Sequence, residues 1–325
     1  MNGKWMKLAA AALVLVVGAA VPALAFEPGR VTCIAPANPG GGWDFTCRSG
    51  AKLLYDLKMV NRPIQVINMP GAGGGVAYAH VVAEKKGDNN LLVAASRSTT
   101  TRLAQGQYKG FTENDVRWLA ANGADYGVIS VRTDAPWKNL KELMAAWKAD
   151  PSKIAVGGGS AVGGQDHMKV MILAKAAGID PKAVKYVPFD GGGEVMTSLL
   201  GGFVQVFPGD ISEVKAQLDG GQVRVLAVMG DERLPDELSS IPTAIEEGYK
   251  AKWVVWRGFY MPTGTSDEAY NYWIDVLKKA TASPEWAKMR KQNGIAPFYK
   301  SGADFKAFVD EQVEEIRGLT KELGL

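Results

Sequence analysis

The chain has 325 residues, with 37 Lys+Arg against 34 Asp+Glu, two histidines and two cysteines. That length buries a large core and suits two domains, while the near balance of charge argues against nucleic acid or a membrane surface as partner. No His/Cys/Asp/Glu grouping has metal-ligand spacing, so neither a metal nor a cofactor is expected.

Residues 1–25 read as a secretory signal peptide, not as part of the fold. Lys4 and Lys7 form its basic segment, Leu8 to Val21 its apolar segment, and Pro22-Ala23-Leu24-Ala25 a small-residue cleavage site. Cleavage leaves 35 basic against 34 acidic residues, a net charge of about +1. No later run approaches the roughly 20 apolar residues of a membrane helix. The expected product is exported, periplasmic and without direct membrane insertion.

The first apolar run, Val31 to Ala35, predicts a buried strand, and Asp44 to Leu54 predicts a helix. Between them lies Pro36-Ala37-Asn38-Pro39-Gly40-Gly41-Gly42-Trp43. A glycine run there bares backbone N–H groups beside the positive end of a helix, which favours an anion. The plan recurs three times: Pro63 to Asn68 before Gly71-Ala72-Gly73-Gly74-Gly75, Lys153 to Val156 before Gly157-Gly158-Gly159-Ser160, and Lys185 to Phe189 before Asp190-Gly191-Gly192-Gly193. Two such units in each half suggest two lobes that aim helix N-termini at one shared anion. Four tight turns of an ordinary α/β protein remain the alternative. Cys33 and Cys47 flank the first glycine loop, and a bridge between them would close about 15 residues for roughly 3 kcal/mol. The other reading is two buried free thiols.

Further along, Leu91 to Ala95 predicts a strand that ends at Ser96-Arg97-Ser98-Thr99-Thr100-Thr101. These hydroxyls either face the ligand or cap the next segment. Val116 to Ala121 and Gly127 to Val131 predict consecutive strands, with the first interlobe crossing at Asn122-Gly123-Ala124-Asp125. Helices are expected over 139–148, 165–177 and 194–200, and a strand at Val204 to Phe207. The apolar strand Val223 to Met229 suits a return crossing, and Trp253 to Phe259 predicts a further strand. The last helix starts at Ser301 and puts Phe305, Phe308, Val309, Val313, Ile316 and Leu319 on one face.

Catalytic signals are weak. A nucleophile elbow nearly forms at Gly158-Gly159-Ser160-Ala161, but Val162 stands where its last glycine belongs. Neither the Walker pattern nor the dinucleotide fingerprint is complete. His80 and His167 each stand alone on a predicted helix. Asp44 is a helix-cap residue first, whereas Asp190 and Asp210 sit at strand ends and could accept from ligand hydroxyls or an ammonium. Arg48 and Arg97 are candidates for pairing with a carboxylate, against surface ion pairs as the plain reading.

Asn38-Pro39-Gly40-Gly41-Gly42-Trp43-Asp44 and Asn68-Met69-Pro70-Gly71-Ala72-Gly73-Gly74 resemble the paired signatures of the tripartite tricarboxylate transporter substrate-binding proteins, the Bug-type receptors. Gly159-Ser160 with His167, Tyr186-Val187-Pro188-Phe189-Asp190-Gly191-Gly192, Leu226-Ala227-Val228, Ile241 to Gly248 and Pro262-Thr263-Gly264 extend the match in order. The family usually has a small residue or threonine where Trp43 stands, and often an acidic one near Thr197. The tryptophan form resembles the tricarboxylate-binding branch, which points to citrate-like acids, with a dicarboxylate as the other choice.

The resemblance implies an α/β fold of the two-lobed periplasmic-binding-protein type (type 2, Venus-flytrap). Each lobe is a mixed sheet flanked by helices, and two segments cross between them. Residues 26–122 and 229–325 would form lobe 1, and 123–228 lobe 2. It further implies a monomer without catalysis that delivers its acid to membrane permease subunits. Carried over, Pro39, Gly40, Gly41, Gly42, Trp43 and Asp44 grip the near carboxylate. Ser96 and Ser98, with Arg97 added on charge, complete that wall. Ser160, Ala161 and Gly163 meet the far end, and Asp190, Gly191 and Asp210 line the second lobe. The rivals are a receptor for a sensor kinase and a secreted hydrolase using Ser160 or the strand-end aspartates Asp44, Asp190 and Asp210.

Overall fold

The computed structural model describes residues 26–323; the signal peptide expected at 1–25 lies outside the described residues. The chain opens with β1 (Thr32–Ala35), α1 (Gly42–Asp56), β2 (Gln65–Asn68), α2 (Gly75–Glu84), β3 (Leu91–Ser96) and α3 (Arg97–Ala104). Here strands and helices alternate, so β1 pairs parallel with both β2 and β3. The long β4 (Val116–Tyr126) leads directly into β5 (Val128–Arg132) and α4 (Leu140–Ala149). Next come β6 (Ala155–Gly158), α5 (Gln165–Ala176), β7 (Lys185–Pro188), α6 (Gly192–Leu200), α7 (Ile211–Asp219) and β8 (Val223–Val228). The chain closes with β9 (Val254–Pro262), α8 (Asp267–Thr281), α9 (Pro284–Gln292), β10 (Lys300–Ser301) and α10 (Gly302–Leu323).

These elements make two lobes. The first is a six-stranded mixed sheet in the order β10-β4-β9-β3-β1-β2. Its two faces carry separate apolar clusters, one around Cys33, Leu54, Phe259 and Trp273, the other around Tyr78, Trp118, Tyr260 and Phe305. The second lobe is built on the antiparallel pair β5-β8 and the parallel pair β6-β7. The stretch predicted as a strand at 204–207 joins these pairs through single bridges, Ser130 to Phe207 and Val156 to Val206.

Two expectations about the crossings need correction. Asn122 to Asp125 lies inside β4, whose pairing with β9 continues to Tyr126 opposite Val254. These residues have turn-like composition, but Asp125 is neutralised by Arg257 and so can be buried in a strand. The apolar strand β8 does not return to the first lobe; it pairs with β5. Leu234, Leu238, Ile241, Ala244, Ala251 and Trp253 pack in the apolar clusters of the second lobe. Trp253 and Val254 lie beside Tyr126 and Gly127, where Gly127 N–H donates to Trp253 O at 2.9 Å. Along α10, Phe305, Val309 and Val313 pack on the first lobe, while Leu319 reaches the second.

Cys33 on β1 and Cys47 on α1 form a disulfide with their Cα atoms 5.8 Å apart. It ties the strand to the helix and thereby fixes the arc of the glycine loop between them.

Candidate functional site

The loop after β1 turns sharply at Gly40, whose φ of 83° is a left-handed conformation that costs glycine little. Asp44, in the first turn of α1, accepts from Gly40 N–H at 3.0 Å. Arg48 Nε at 2.9 Å and Asn68 Nδ2 at 2.8 Å donate to the same carboxylate. Burial opposes its charge, but these donors hold the Asp44 carboxyl below the usual carboxylate range. Arg48 is thus a clamp on the loop, as an ordinary ion pair would be. Gly42 comes next, and a Cβ there would fall 2.0 Å from Arg257 Nη1. The helix has no side-chain cap on its first amides. One of them, Gly42 N–H, instead donates across the molecule to Glu213 Oε1 of α7 at 2.9 Å.

That hydrogen bond borders a cavity of ≈ 30 Å³ between the lobes. Gly41, Gly42, Trp43, Gly73, Ser96 and Ser98 line it from the first lobe, and Gly159, Ser160, Gln165, Asp166, Gly191, Gly192 and Glu213 from the second; Arg257 completes the wall. All four glycine turns therefore reach one cleft. Two enclosed atoms on its lining, Trp43 Nε1 and Gln165 Oε1, find no hydrogen-bond partner among the described residues. A buried donor and acceptor left unpaired cost roughly 1–3 kcal/mol each, which a polar occupant would recover. The space holds about one water molecule, so the lobes stand closed. Further contacts hold them: Asn38 N–H to Asp190 O at 3.0 Å, Arg102 Nη1 to Val162 O at 3.0 Å and Gln105 Nε2 to Gly163 O at 2.7 Å.

Beneath the cavity runs a buried chain of charges. Arg257 donates through Nη2 to Asp125 at 2.5 Å and to Asp210 at 2.7 Å. Lys169 lies 2.5 Å from Asp210 and 2.8 Å from Asp166. For Lys169 burial disfavours the charge, yet Asp166 and Asp210 more than offset this and hold its pKa above the usual lysine value. Asp210 is likewise opposed by burial and held below its ordinary value by Lys169 and Arg257. Glu213 makes no direct ion pair with a cation among the described residues: burial first, then the charges of Asp210 and Asp166, push its carboxyl up to about 8 against the weaker opposing pull of Arg257 and Lys169.

Of the residues singled out in the sequence, Gly41, Gly42, Trp43, Ser96, Ser98, Ser160 and Gly191 line the cleft. Pro39, Gly40, Asp44, Asp190 and Gly163 stand behind it, shaping the loops or joining the lobes through backbone atoms. Ala161 O is spent on Gly164 N–H within its own turn. Asp210 is buried in the ion network instead of facing a ligand. Arg97 belongs elsewhere: it stacks over Trp253, 4.2 Å from the ring centre, and pairs with Glu315 at 3.0 Å. Ser96 is the extended N-cap of α3 and its side chain accepts from Ser98 N–H, which holds the two serines together. Both serines line the cleft, while Arg97 turns toward Glu315 on α10.

Arg257, Glu213, Gln165, Asp166 and Lys169 were missing from the sequence reading. A signal existed for two of them, since a charge stands inside an apolar run at Val254-Val255-Trp256-Arg257 and at Met168-Lys169-Val170-Met171. Ser160 has no histidine for a hydrolytic role: its Oγ accepts from Asp166 N–H at 3.0 Å, and His167 Nδ1 accepts from Gly163 N–H. A larger groove of ≈ 940 Å³, lined by Arg97, Trp253 and Glu315 among others, is reached by none of the glycine turns.

This fold and cleft define a two-lobed solute-binding protein. A match to the tripartite tricarboxylate transporter family receptors covers residues 54–325, and the chain belongs to that family, a family of receptors rather than enzymes. It is 26% identical over 303 residues to a UPF0065 protein of Bordetella pertussis, spanning 92% of this chain and 91% of the relative. The structure of the periplasmic binding protein BugD is similar at 25% identity with a TM-score of 0.82, covering 92% of this chain and 99% of that one. MatC from Rhodopseudomonas palustris, solved with bound malate, shares the fold at 21% identity and a TM-score of 0.79, covering 89% and 98%.

Proposed function

We propose that this chain is an exported, periplasmic receptor that captures a small organic acid anion between its lobes and presents it, as a monomer, to a membrane permease. Residues 26–122 and 229–325 were expected to be one lobe; we place the boundaries instead at Tyr126–Gly127, the end of β4, and at Trp253–Val254, because the segment 234–253 packs with the second lobe. The observation that carries the reading is the bond from Gly42 N–H to the Glu213 carboxyl at 2.9 Å. A carboxyl group already sits at the bare amide of α1, in the place a ligand's carboxylate would take.

The N-terminus of a helix supplies about 0.3–1 kcal/mol to an anion, and up to about 2 when partly buried. Trp43 Nε1 adds a donor, and Ser98 and Gln165 offer hydrogen bonds to the remainder of the ligand. Because ≈ 30 Å³ cannot hold even a dicarboxylate, the acid enters an open form and closure follows it, with the passages at Tyr126–Gly127 and Trp253–Val254 as hinges. A malate-binding protein of the same fold is in keeping with a dicarboxylate, and Trp43 with the citrate-like alternative.

A thermal-shift screen with malate, adipate, citrate, amino acids and neutral sugars tests this. An acid at a hundredfold excess over Kd should stabilise the fold by about 2.7 kcal/mol. A melt moved by a sugar and by none of the acids would sink the proposal.

A further inference from the structure

The cleft holds more carboxyl groups than cations. Arg257 and Lys169 are committed to Asp125, Asp166 and Asp210 through short ion pairs. Glu213 is the fourth carboxyl, and among the described residues no lysine or arginine nitrogen bonds to it. Its partners are two amides: Gly42 N–H donates to Oε1 at 2.9 Å, and Asp210 N–H donates to Oε2 at 3.0 Å. The residue keeps some surface, but its carboxyl is wedged at the junction, close enough that a Cβ on Gly192 would lie 2.4 Å from Oε1.

The charges on the elements around it are otherwise engaged. On α5, Asp166 and Lys169 pair with each other; on α7, Asp210 pairs with Lys169 and Arg257, and Lys215 with Asp219. On β4 and β9, Asp125 pairs with Arg257. On α1, Asp44 is held by Arg48; on α6, Glu194 accepts from Asn38 Nδ2; on β8, Arg224 donates to Trp137 O and Thr133 O. Among the described residues Arg257 is the one cationic residue on the cavity wall, against Asp166 and Glu213. An entering carboxylate would be a fifth acid for two cations.

This inference rests on the anion-capture reading above. We propose that Glu213 is the residue that makes capture proton-linked: when the lobes close on an acid, Glu213 takes a proton from solvent and donates its O–H to the ligand carboxylate beside Gly42 N–H. The step is a simple protonation of one carboxylate oxygen, with no electron transfer. Two carboxyl groups at one site share a proton because both cannot ionise at contact distance. In the open form α7 moves away from α1 and the Glu213 carboxyl meets water. Burial and the neighbouring acids then favour its neutral form only on closing, in keeping with a carboxyl pushed up to about 8 in the closed lobes. Glu213 would also set specificity, since a neutral carboxylic acid can donate to an anion where a carboxylate repels it.

Calorimetric titration of the exported chain with malate, then adipate and citrate in turn, reads this directly. Run at pH 7 in two buffers of different ionisation enthalpy, it should give uptake of about one proton per acid bound, and affinity should fall by up to about tenfold per pH unit between about pH 6 and 8. In Glu213→Gln, which keeps the shape and an acceptor oxygen, the uptake should vanish and the pH profile flatten. Binding without proton uptake in the unmodified protein, or equal uptake in Glu213→Gln, would overturn the linkage alone. Silence from all three acids in both proteins would overturn the capture reading, and this inference with it.

Discussion

Arg257 on β9 reaches Asp210 at the start of α7, 2.7 Å away and with neither side chain more than 3% exposed, so the first lobe plants a charge in the floor of the second. Arg257 also carries Asp125 from the end of β4, next to the outgoing passage between the lobes. Replacing Arg257 by Met should leave both carboxylates short of a partner. Breaking a buried pair from one side costs about 3–5 kcal/mol. Denaturant unfolding of Arg257→Met should show a loss of that size, and a loss under about 1 kcal/mol would mean that the network is not stabilising.

Gly193 separates closure from folding. In the closed lobes a Cβ on this residue would lie 2.4 Å from Pro39 O, across the cleft. Alanine at the start of α6 should help the helix by at most about 1 kcal/mol. Overpacking the closed form costs about 1–3 kcal/mol, roughly 5- to 150-fold in affinity. Gly193→Ala is expected to melt no lower than the unmodified protein yet bind its acid more weakly, with small-angle scattering reporting a wider particle in the presence of ligand. Unchanged affinity would show that the lobes do not close to this contact.

The Cys33–Cys47 disulfide closes a loop with a sequence separation of 14. In the chain-entropy account a loop of this length contributes about 3 kcal/mol. The Cys33→Ser, Cys47→Ser double variant should lose about that much. The unmodified protein under reductant should fall to the same melting temperature, while the variant should not respond to reductant at all.

Asp44 gives a pH dependence of known sign. Its carboxyl is held below its ordinary value, so its contribution is present at neutral pH and lost as pH falls below about 4. Hydrogen bonds to a charged group are worth about 1.5–3 kcal/mol, and Asp44→Asn should be destabilised by that order at pH 7. Melting curves of the two proteins should converge as pH falls through the lowered native pKa of Asp44. Curves that stay parallel well below the ordinary carboxylate range would place the stabilisation elsewhere.

Arg97 provides a control on the cleft. Its guanidinium pairs with Glu315 and stacks on Trp253, and none of its partners among the described residues belongs to the cavity wall. Arg97→Ala should cost about 1 kcal/mol of stability, as a cation–π contact with a half-exposed ion pair does. Ligand affinity should stay within a factor of about two; a loss of about tenfold would restore Arg97 to the site.

The alternation of short apolar runs with glycine turns made the strands, the helices after them and the shared cleft legible before any coordinates. The loop from Pro39 to Asp44 is where sequence logic worked best, because glycine, proline and a first-turn acid each have a local meaning. Composition misled at Asn122 to Asp125, which has the residues of a turn but the pairing of a strand. It misled again at Val223 to Met229, whose apolar run suited a return crossing but pairs with β5 in the second lobe.

By itself the sequence determined an α/β chain with glycine turns ahead of four of its helices, since glycine placement and hydrophobic period act over a few neighbouring residues. It could not say which carboxyl would sit on Gly42, because Glu213 is 171 positions away and only the approach of α7 to α1 brings them together. The tertiary structure alone decided that Arg97 leaves the cleft and Arg257 enters it. Both are arginines beside apolar strands, and the difference lies in which lobe's carboxylates each one meets once burial makes an unpaired charge too costly to keep.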